Sequence, residues 1–339
     1  MTRYTKHRVS FDSAGSTIAA VMYLPTSTAP TMPCVVLAHG FSGTMDWIVP
    51  EFAARFADGG LAALIFDYRF LGESEGEPRQ LIISSRQRDD LRRAVDYVRS
   101  RTDIDASRVA LWGTSLGGNH VLTLAQEDPT IAAVVANVPA VDMFSGIRGR
   151  YVPPHMRMPM RKIVGATMRL LGAAILDQAR GALGLAPFYI EVFGRLGHAA
   201  FSDPDLTDLF AAVEQNAPSW RNRVTPRFLL TAPRYRDGSF GRIAAPLMVT
   251  VARDDEVMST SFIKEKVAQA PHHQIREYPV RHFDMYHGAV RDEVAADHLA
   301  FLQLHLMDQG CCSDREPNGL RSITFGPDAN DAPRRRTKT

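Results

Sequence analysis

The ten residues Val109-Ala110-Leu111-Trp112-Gly113-Thr114-Ser115-Leu116-Gly117-Gly118 hold the clearest chemistry in this chain. An apolar run of strand formers stops at Gly113-Thr114-Ser115-Leu116-Gly117, and a helical pattern begins directly after it. Gly-x-Ser-x-Gly between a strand and a helix is the pattern of a nucleophile elbow. Its glycines permit a turn too tight for side chains, so the serine hydroxyl projects alone above the end of the strand. From there it is placed to attack a carbonyl carbon. A hydroxyl is a weak nucleophile at neutral pH, however; it needs a base, and the base needs an orienting partner.

In chains with such an elbow, the acid and then the histidine follow the serine. Downstream of Ser115, Val251-Ala252-Arg253-Asp254-Asp255-Glu256-Val257 puts acids just past the end of an apolar strand. Tyr278-Pro279-Val280-Arg281-His282-Phe283-Asp284 puts a histidine just past the next one. Asp255 leads among the acids because it lies one step further into the loop, where its side chain can turn towards the histidine. Asp254 or Glu256 is then an ordinary exposed loop acid, and Asp142 is a competing acid after an earlier strand. His282 leads among the bases; His287 begins or caps the last helix, and His120 packs within the elbow helix. The negative oxygen formed during attack needs two backbone N–H donors, and losing one typically costs about 3 kcal/mol. Leu116 supplies one. The loop His39-Gly40-Phe41 supplies the other, with the Phe41 N–H as donor and the His39 side chain bonded to its own loop.

These loops need a sheet that aligns their strand ends. Arg8 to Phe11 and Thr17 to Leu24 alternate like a hairpin turned by Asp12 to Ser16. Cys34 to Ala38, Leu61 to Asp67, Arg108 to Trp112, Ile131 to Val138, Ala245 to Val251 and Gln274 to Pro279 read as further strands. Helices are expected at Val49 to Asp58, Arg86 to Arg99, from Leu116, at Ser261 to Gln269 and near Ala289 to Leu306. Apolar strands alternating with helices predict a mainly parallel sheet covered on both faces, an α/β class. The rhythm breaks over 142–241, a helix-like stretch read as a cap inserted between core segments 1–141 and 242–307. Its Met156, Met158, Met160 and Met168 lie among Arg157, Arg161, Lys162 and Arg169. The plain reading is a cap helix packing its apolar face on the core. The sharper one is a lid whose methionines line an adaptable apolar pocket, and contact with a membrane surface is a third. From 308 to 339 the chain turns polar and aperiodic, as a disordered tail does.

Composition sets outer limits. With 339 residues, 45% hydrophobic and 22% charged, the chain can bury a large core without disulfides or metals. A net charge of +2 gives no global pull towards nucleic acid, and Arg334-Arg335-Arg336 with Lys338 reads as a solvated basic terminus. Cys34, Cys311 and Cys312 form neither a disulfide framework nor a zinc spacing. The residues after Met1 lack the apolar core of a signal peptide, and no stretch approaches a membrane span. The expectation is a cytoplasmic protein with a small-molecule partner, no metal or cofactor, and no stable membrane insertion. Oligomeric state leaves no trace in the sequence.

Taken together, His39-Gly40-Phe41, Asp67-Tyr68-Arg69 with Gly72-Glu73-Ser74, the elbow, Asp255 and His282 resemble the α/β-hydrolase fold superfamily. The resemblance spans about Arg8 to Leu306 apart from the cap. Within the superfamily, His282-Phe283-Asp284-Met285-Tyr286 is similar to a segment of the dienelactone-hydrolase-like and prolyl-peptidase-like serine hydrolases, including the fungal polyketide-transferase relatives. Arg281 and Ala252 depart from it, standing where glycines often precede the histidine and the acid. The serine nucleophile argues against the dehalogenase and epoxide-hydrolase branches. The resemblance implies an esterase or thioesterase working through an acyl-enzyme. The alternatives are an acyltransferase with the same residues, a small-peptide peptidase disfavoured by the absence of a propeller-sized domain, or a non-catalytic binder of hydrophobic ligands.

Overall fold

A computed structural model describes residues 3–26 and 29–307 of the 339-residue chain. The predicted tail disorder and the readings of Cys311 and Cys312 fall outside those residues. β1 (Tyr4–Ser13) and β2 (Ser16–Pro25) pair antiparallel along their whole length. Their turn is tighter than the sequence suggested, because Ala14 and Gly15 both take positive φ, 51° and 79°. Positive φ at both central residues matches the right-handed twist of the flanking strands.

The chain then alternates through β3 (Met32–Ala38), α1 (Val49–Asp58), β4 (Ala62–Phe66), α2 (Ser84–Arg99), β5 (Ile104–Thr114), α3 (Leu116–Glu127) and β6 (Ala133–Asn137). An inserted stretch follows, with α4 (Met160–Ala182), β7 (Glu191–Phe193), β8 (Ala199–Phe201), α5 (Thr207–Asn216) and α6 (Phe228–Thr231). β9 (Leu247–Ala252), α7 (Thr260–Val267), β10 (His273–Tyr278) and α8 (Gly288–Leu306) complete the order. The eight-stranded sheet runs β1-β2-β4-β3-β5-β6-β9-β10, parallel from β4 to β10. This is an α/β-hydrolase fold with an antiparallel amino-terminal hairpin.

Both sheet faces are dry, which explains strands that are apolar at every position. Along β3, Val35 and Leu37 enter one core with Phe52, Phe56 and Trp112, while Cys34 and Val36 enter the other with Leu91, Val95 and Val121. Each such fully buried side chain contributes roughly 1.5–3 kcal/mol. Cys34 is a small hydrophobe here, and burial raises its thiol far above the ordinary range.

The stretch 142–241 packs through aromatic rings. Phe193, Phe201 and Phe210 pack with Trp47, Trp220 and Phe283, joining the insertion to the core through rings. The small parallel β7–β8 pair carried no sequence signal. The pocket role suggested for the cap methionines is not met. α4 buries only Ala166, Ala174 and Asp177, while Met160 and Met168 are 71% and 63% exposed. At 100° per residue Met168 falls on the side of the helix away from Ala166 and Ala174, while Met160 is exposed as the first residue of the helix. No described helix is long and apolar enough to cross a membrane.

Asp177 anchors α4 from within. Its buried carboxylate accepts from the Phe188 N–H (2.9 Å) and from the Arg227 guanidinium (2.6 and 2.8 Å), just before α6. Removing one partner of a buried pair strands the other charge, at a cost of about 3–5 kcal/mol. Asp177→Ala is therefore expected to lower unfolding free energy by roughly 3 kcal/mol in urea titration; a loss within 0.5 kcal/mol, roughly the effect of an ordinary surface substitution, would contradict this anchoring.

Candidate active site

Ser115 lies between β5 and α3 with φ 52° and ψ −116°, a conformation that a non-glycine residue adopts only when its surroundings impose it. The surroundings do so by close packing. A Cβ on Gly113 would come within 2.3 Å of the Gly117 carbonyl oxygen, and one on Gly117 within 2.2 Å of the Ala38 oxygen. The Ser115 N–H donates to the Asn137 carbonyl (2.9 Å), and its own carbonyl accepts from Ala140 N–H (2.9 Å). β6 and its loop thus hold the elbow from outside.

The loop after β3 reaches the same place. A Gly40 Cβ would stand 3.3 Å from the Ser115 Cβ, a tight contact that glycine avoids as this loop lies against the elbow. Neither the Phe41 nor the Leu116 N–H is spent on an internal hydrogen bond among the described residues. His39 turns away, with Nδ1–H donating to the Gly40 carbonyl (3.1 Å). Burial, partly offset by that bond, lowers His39 to about 4. Asp67 ties this loop to the one after β4, accepting from the Met45 and Glu73 N–H groups (2.7 Å each).

Asp255 and His282 meet at the ends of β9 and β10. His282 Nδ1–H donates to Asp255 Oδ2 (2.9 Å), and Asp255 Oδ1 accepts from the Val257 and Met258 N–H groups (2.8 Å each). Both side chains are almost wholly buried. Burial disfavours the imidazolium, but the charge and hydrogen bond of Asp255, with Glu256, outweigh it and leave His282 above its ordinary 6.5. Ser115, His282, Phe41 and Gly40 line one small cavity. Asp142, the competing acid, instead accepts from Phe144, Ser145 and Tyr235 N–H groups, far from any histidine role. His120 bonds Gln87 (2.9 Å), and His287 stands at the amino end of α8 without a side-chain capping bond.

Glu256 is not the exposed loop acid that the sequence suggested. Its side chain is 10% exposed and accepts from the His282 N–H (3.0 Å) and from Arg281 (3.3 Å). Arg281, the residue that replaces a glycine, also bonds Asp203 and Asp205 of the inserted stretch. His155 joins those two acids in the one metal-type ligand cluster among the described residues, and the guanidinium of Arg281 is already paired with both acids.

Sequence reasoning gave Tyr286 no role, yet its hydroxyl donates to His282 Nε2 (3.2 Å). It is one link in a buried chain whose donors all point the same way. Trp112 Nε1–H donates to His298 Nδ1 (3.1 Å), and His298 Nε2–H to Thr250 Oγ1 (3.1 Å). Thr250 donates to Asn137 Oδ1 (2.7 Å), Asn137 Nδ2 to Thr114 Oγ1 (3.3 Å), and Thr114 to Tyr286 Oη (3.0 Å). With Nδ1–H committed to Asp255, His282 Nε2 accepts from Tyr286, while the Thr114 hydroxyl also lies 3.4 Å from the Asn137 carbonyl; successive bonds of this kind polarise one another. A signal was available, in that Asn137, Thr250 and Thr114 are polar residues at the ends of apolar strands.

Against this geometry the comparisons are specific. The family model described as "Serine aminopeptidase, S33" matches residues 29–293. The chain belongs to that family of α/β hydrolases. This hydrolase, of the serine type, is 36% identical to the quorum-quenching protein AidA of Acinetobacter baumannii (strain MDR-ZJ06), over 87% of this chain and 93% of that one. It is 30% identical to the thiohydrolase apmlB of Arthrinium phaeospermum, over 57% and 61% of the respective chains. Among solved structures, the α/β hydrolase GrgF from Penicillium sp. sh18 matches with TM-score 0.71 at 22% identity, covering 89% of this chain and 99% of that one.

Two isosteric changes should move His282 in opposite directions. Tyr286 donates to the unprotonated ring and so favours it, whereas the charge of Glu256 favours the protonated one. In pH profiles of kcat/KM, Tyr286→Phe should shift the acid limb up, and Glu256→Gln should shift it down. Limbs left in place would contradict these roles.

Proposed function

We propose that this protein cleaves carboxylic esters or thioesters of small to medium apolar acyl groups through an acyl-enzyme on Ser115. The observation that carries the reading is the Asp255–His282 hydrogen bond beside a serine held in an elbow. Ser115 Oγ attacks the acyl carbonyl while His282 Nε2 takes its proton, and Asp255 steadies the imidazolium that forms. The Phe41 and Leu116 N–H groups receive the oxyanion. His282 then protonates the departing alcohol or thiol. Water, activated by the same nitrogen, releases the acid and restores Ser115. In the resting state Tyr286 holds Nε2, and apo contacts of this kind commonly tighten only when substrate enters.

A second cavity, of about 120 Å³, supports the apolar acyl group. It opens beside Ser115 and is walled by Phe41, Ile82, Leu170, Phe201, Phe228 and Val257, with Leu170 contributed by α4. We take the insertion 142–241 as the cap over this cavity. Walls of this kind also favour transfer to an alcohol or amine, since they exclude water. That second reading is kept because fungal polyketide transferases, such as grgF of Penicillium sp. at 28% identity over 193 residues, are among the relatives. The relative named as a quorum-quenching protein keeps quorum signals among the candidate substrates.

Turnover of chromogenic esters and acyl thioesters of rising chain length tests the reading. Native protein should show an optimum at short to medium chains, and Ser115→Ala should lose at least a thousandfold in kcat while unfolding at the same temperature. Activity retained by Ser115→Ala would end the proposal. An acceptor-dependent product without hydrolysis would select transfer.

A further inference from the structure

Beside the acyl cavity runs a second, larger cleft of about 850 Å³, between α2, α3 and the segment joining α6 to β9. Its charge is one-sided. Arg88, Arg234, Arg236 and Arg242 line it, and its one acid, Glu127, is already paired with Arg92 (2.7 Å). The Arg234 guanidinium rests over the Phe144 ring (4.2 Å), and Arg242 donates to Gln126 (3.2 Å). The guanidinium groups of Arg88 and Arg236 have no hydrogen bond or ion pair among the described residues. Half-burial pulls Arg88 below the ordinary arginine range; Glu127 and Asp89 oppose this, and Arg92 and Arg236 add to it. An anion seated here would share a half-buried guanidinium that no described side chain pairs, with the exposed Arg236 beside it.

The floor of the cleft is polar, with side-chain atoms open to the cleft. Ser84, Asn119 and Ser239 are each more than nine-tenths buried, at 8%, 8% and 5% exposure. The Ser84 and Ser239 hydroxyls and Asn119 Oδ1 nevertheless have no partner among the described residues. Hydroxyl donors together with bare guanidinium groups suit the several oxygens of a phosphate.

Position links this cleft to the chemistry. Asn119 lies four residues after Ser115 on α3, about 6 Å along the helix axis at 1.5 Å per residue, and its N–H donates to the Ser115 carbonyl (3.2 Å). Ser84, Ala232 and Pro233 line both the cleft and the acyl cavity.

We infer that the arginine cleft binds the phosphate-bearing end of a thioester substrate whose acyl part enters the apolar cavity. The inference rests on the acyl-enzyme reading and names its leaving group. Ser115 Oγ bonds to the thioester carbon as the C–S bond breaks, and the thiolate takes the proton that His282 accepted from Ser115. The phosphorylated thiol then leaves through the cleft. A water O–H replaces it, its hydroxyl joining the acyl carbon and its proton returning to Ser115 through His282. Products are a carboxylic acid and a thiol, with no redox change.

The test measures binding apart from turnover. Coenzyme A, 4′-phosphopantetheine, a phosphopantetheinylated carrier protein and neutral N-acetylcysteamine are titrated calorimetrically into Ser115→Ala protein, with and without Arg88→Gln/Arg236→Gln. Coenzyme A or free phosphopantetheine should bind more tightly than N-acetylcysteamine, and the double substitution should weaken that binding at least tenfold without changing the melting temperature. The same result with the carrier alone also supports the cleft and makes a carrier the source of the phosphate. In turnover, the double substitution should raise KM for an acyl-coenzyme A at least tenfold more than for the matching N-acetylcysteamine thioester. Binding no tighter than the neutral thiol, or unaffected by the two arginines, overturns the inference. Intact phosphate binding without ester or thioester turnover would instead defeat the acyl-enzyme reading and leave the cleft standing.

Discussion

The left-handed backbone of Ser115 is the constraint on which the rest of the site depends. A non-glycine residue at φ 52° carries strain of order 1–3 kcal/mol and persists only where its surroundings over-determine it. Here they do so on three sides. Gly113 lets β5 and α3 close to backbone contact, Gly117 does the same for α3 and the end of β3, Gly40 brings in the loop after β3, and Asn137 and Ala140 fix the serine peptide groups from β6. One strained residue therefore sets where the hydroxyl projects, and it leaves the Phe41 and Leu116 N–H groups uncommitted.

From that point the sheet distributes the work. β9 and β10 end in the loops of Asp255 and His282, which are hydrogen-bonded to each other and stiffened by Glu256 below. Behind them, the chain from Trp112 to Tyr286 spends the buried polar atoms of β5, β6, β9 and α8 on a single oriented series ending at His282 Nε2. Such a network is expensive to leave half-made, since each unpaired buried group costs about 1–3 kcal/mol. The Asp255 carboxylate, accepting from Nδ1–H, gives the His282 ring a defined tautomer. Arg281, the charged substitute for a glycine, joins the insertion to the loop of His282 through Asp203 and Asp205.

Much of this was legible beforehand because it follows from local rules. Alternation and turn residues marked the hairpin, unbroken apolar runs marked the parallel strands, and the glycines around Ser115 marked the elbow. The ends of β9 and β10 directed attention to Asp255 and His282, which the fold brings into hydrogen-bond contact. What escaped depended on long-range contacts. Glu256 looked exposed because nothing local says that the His282 backbone turns towards it. Tyr286 was visible in a motif, but its role depends on Thr114, 172 positions away in the chain. The cap methionines were misplaced because composition does not say which side of α4 meets the core. The β7–β8 pair, with three residues per strand, is too short to leave a period.

Intact-protein and peptide mass spectrometry after rapid acid quench during turnover of a short-chain p-nitrophenyl ester tests the central claim most directly. The account predicts a single acyl adduct on the peptide holding Ser115, accumulating with the burst of nitrophenol and disappearing as ester is exhausted. Turnover with no adduct, or with the adduct on any other residue, would contradict it.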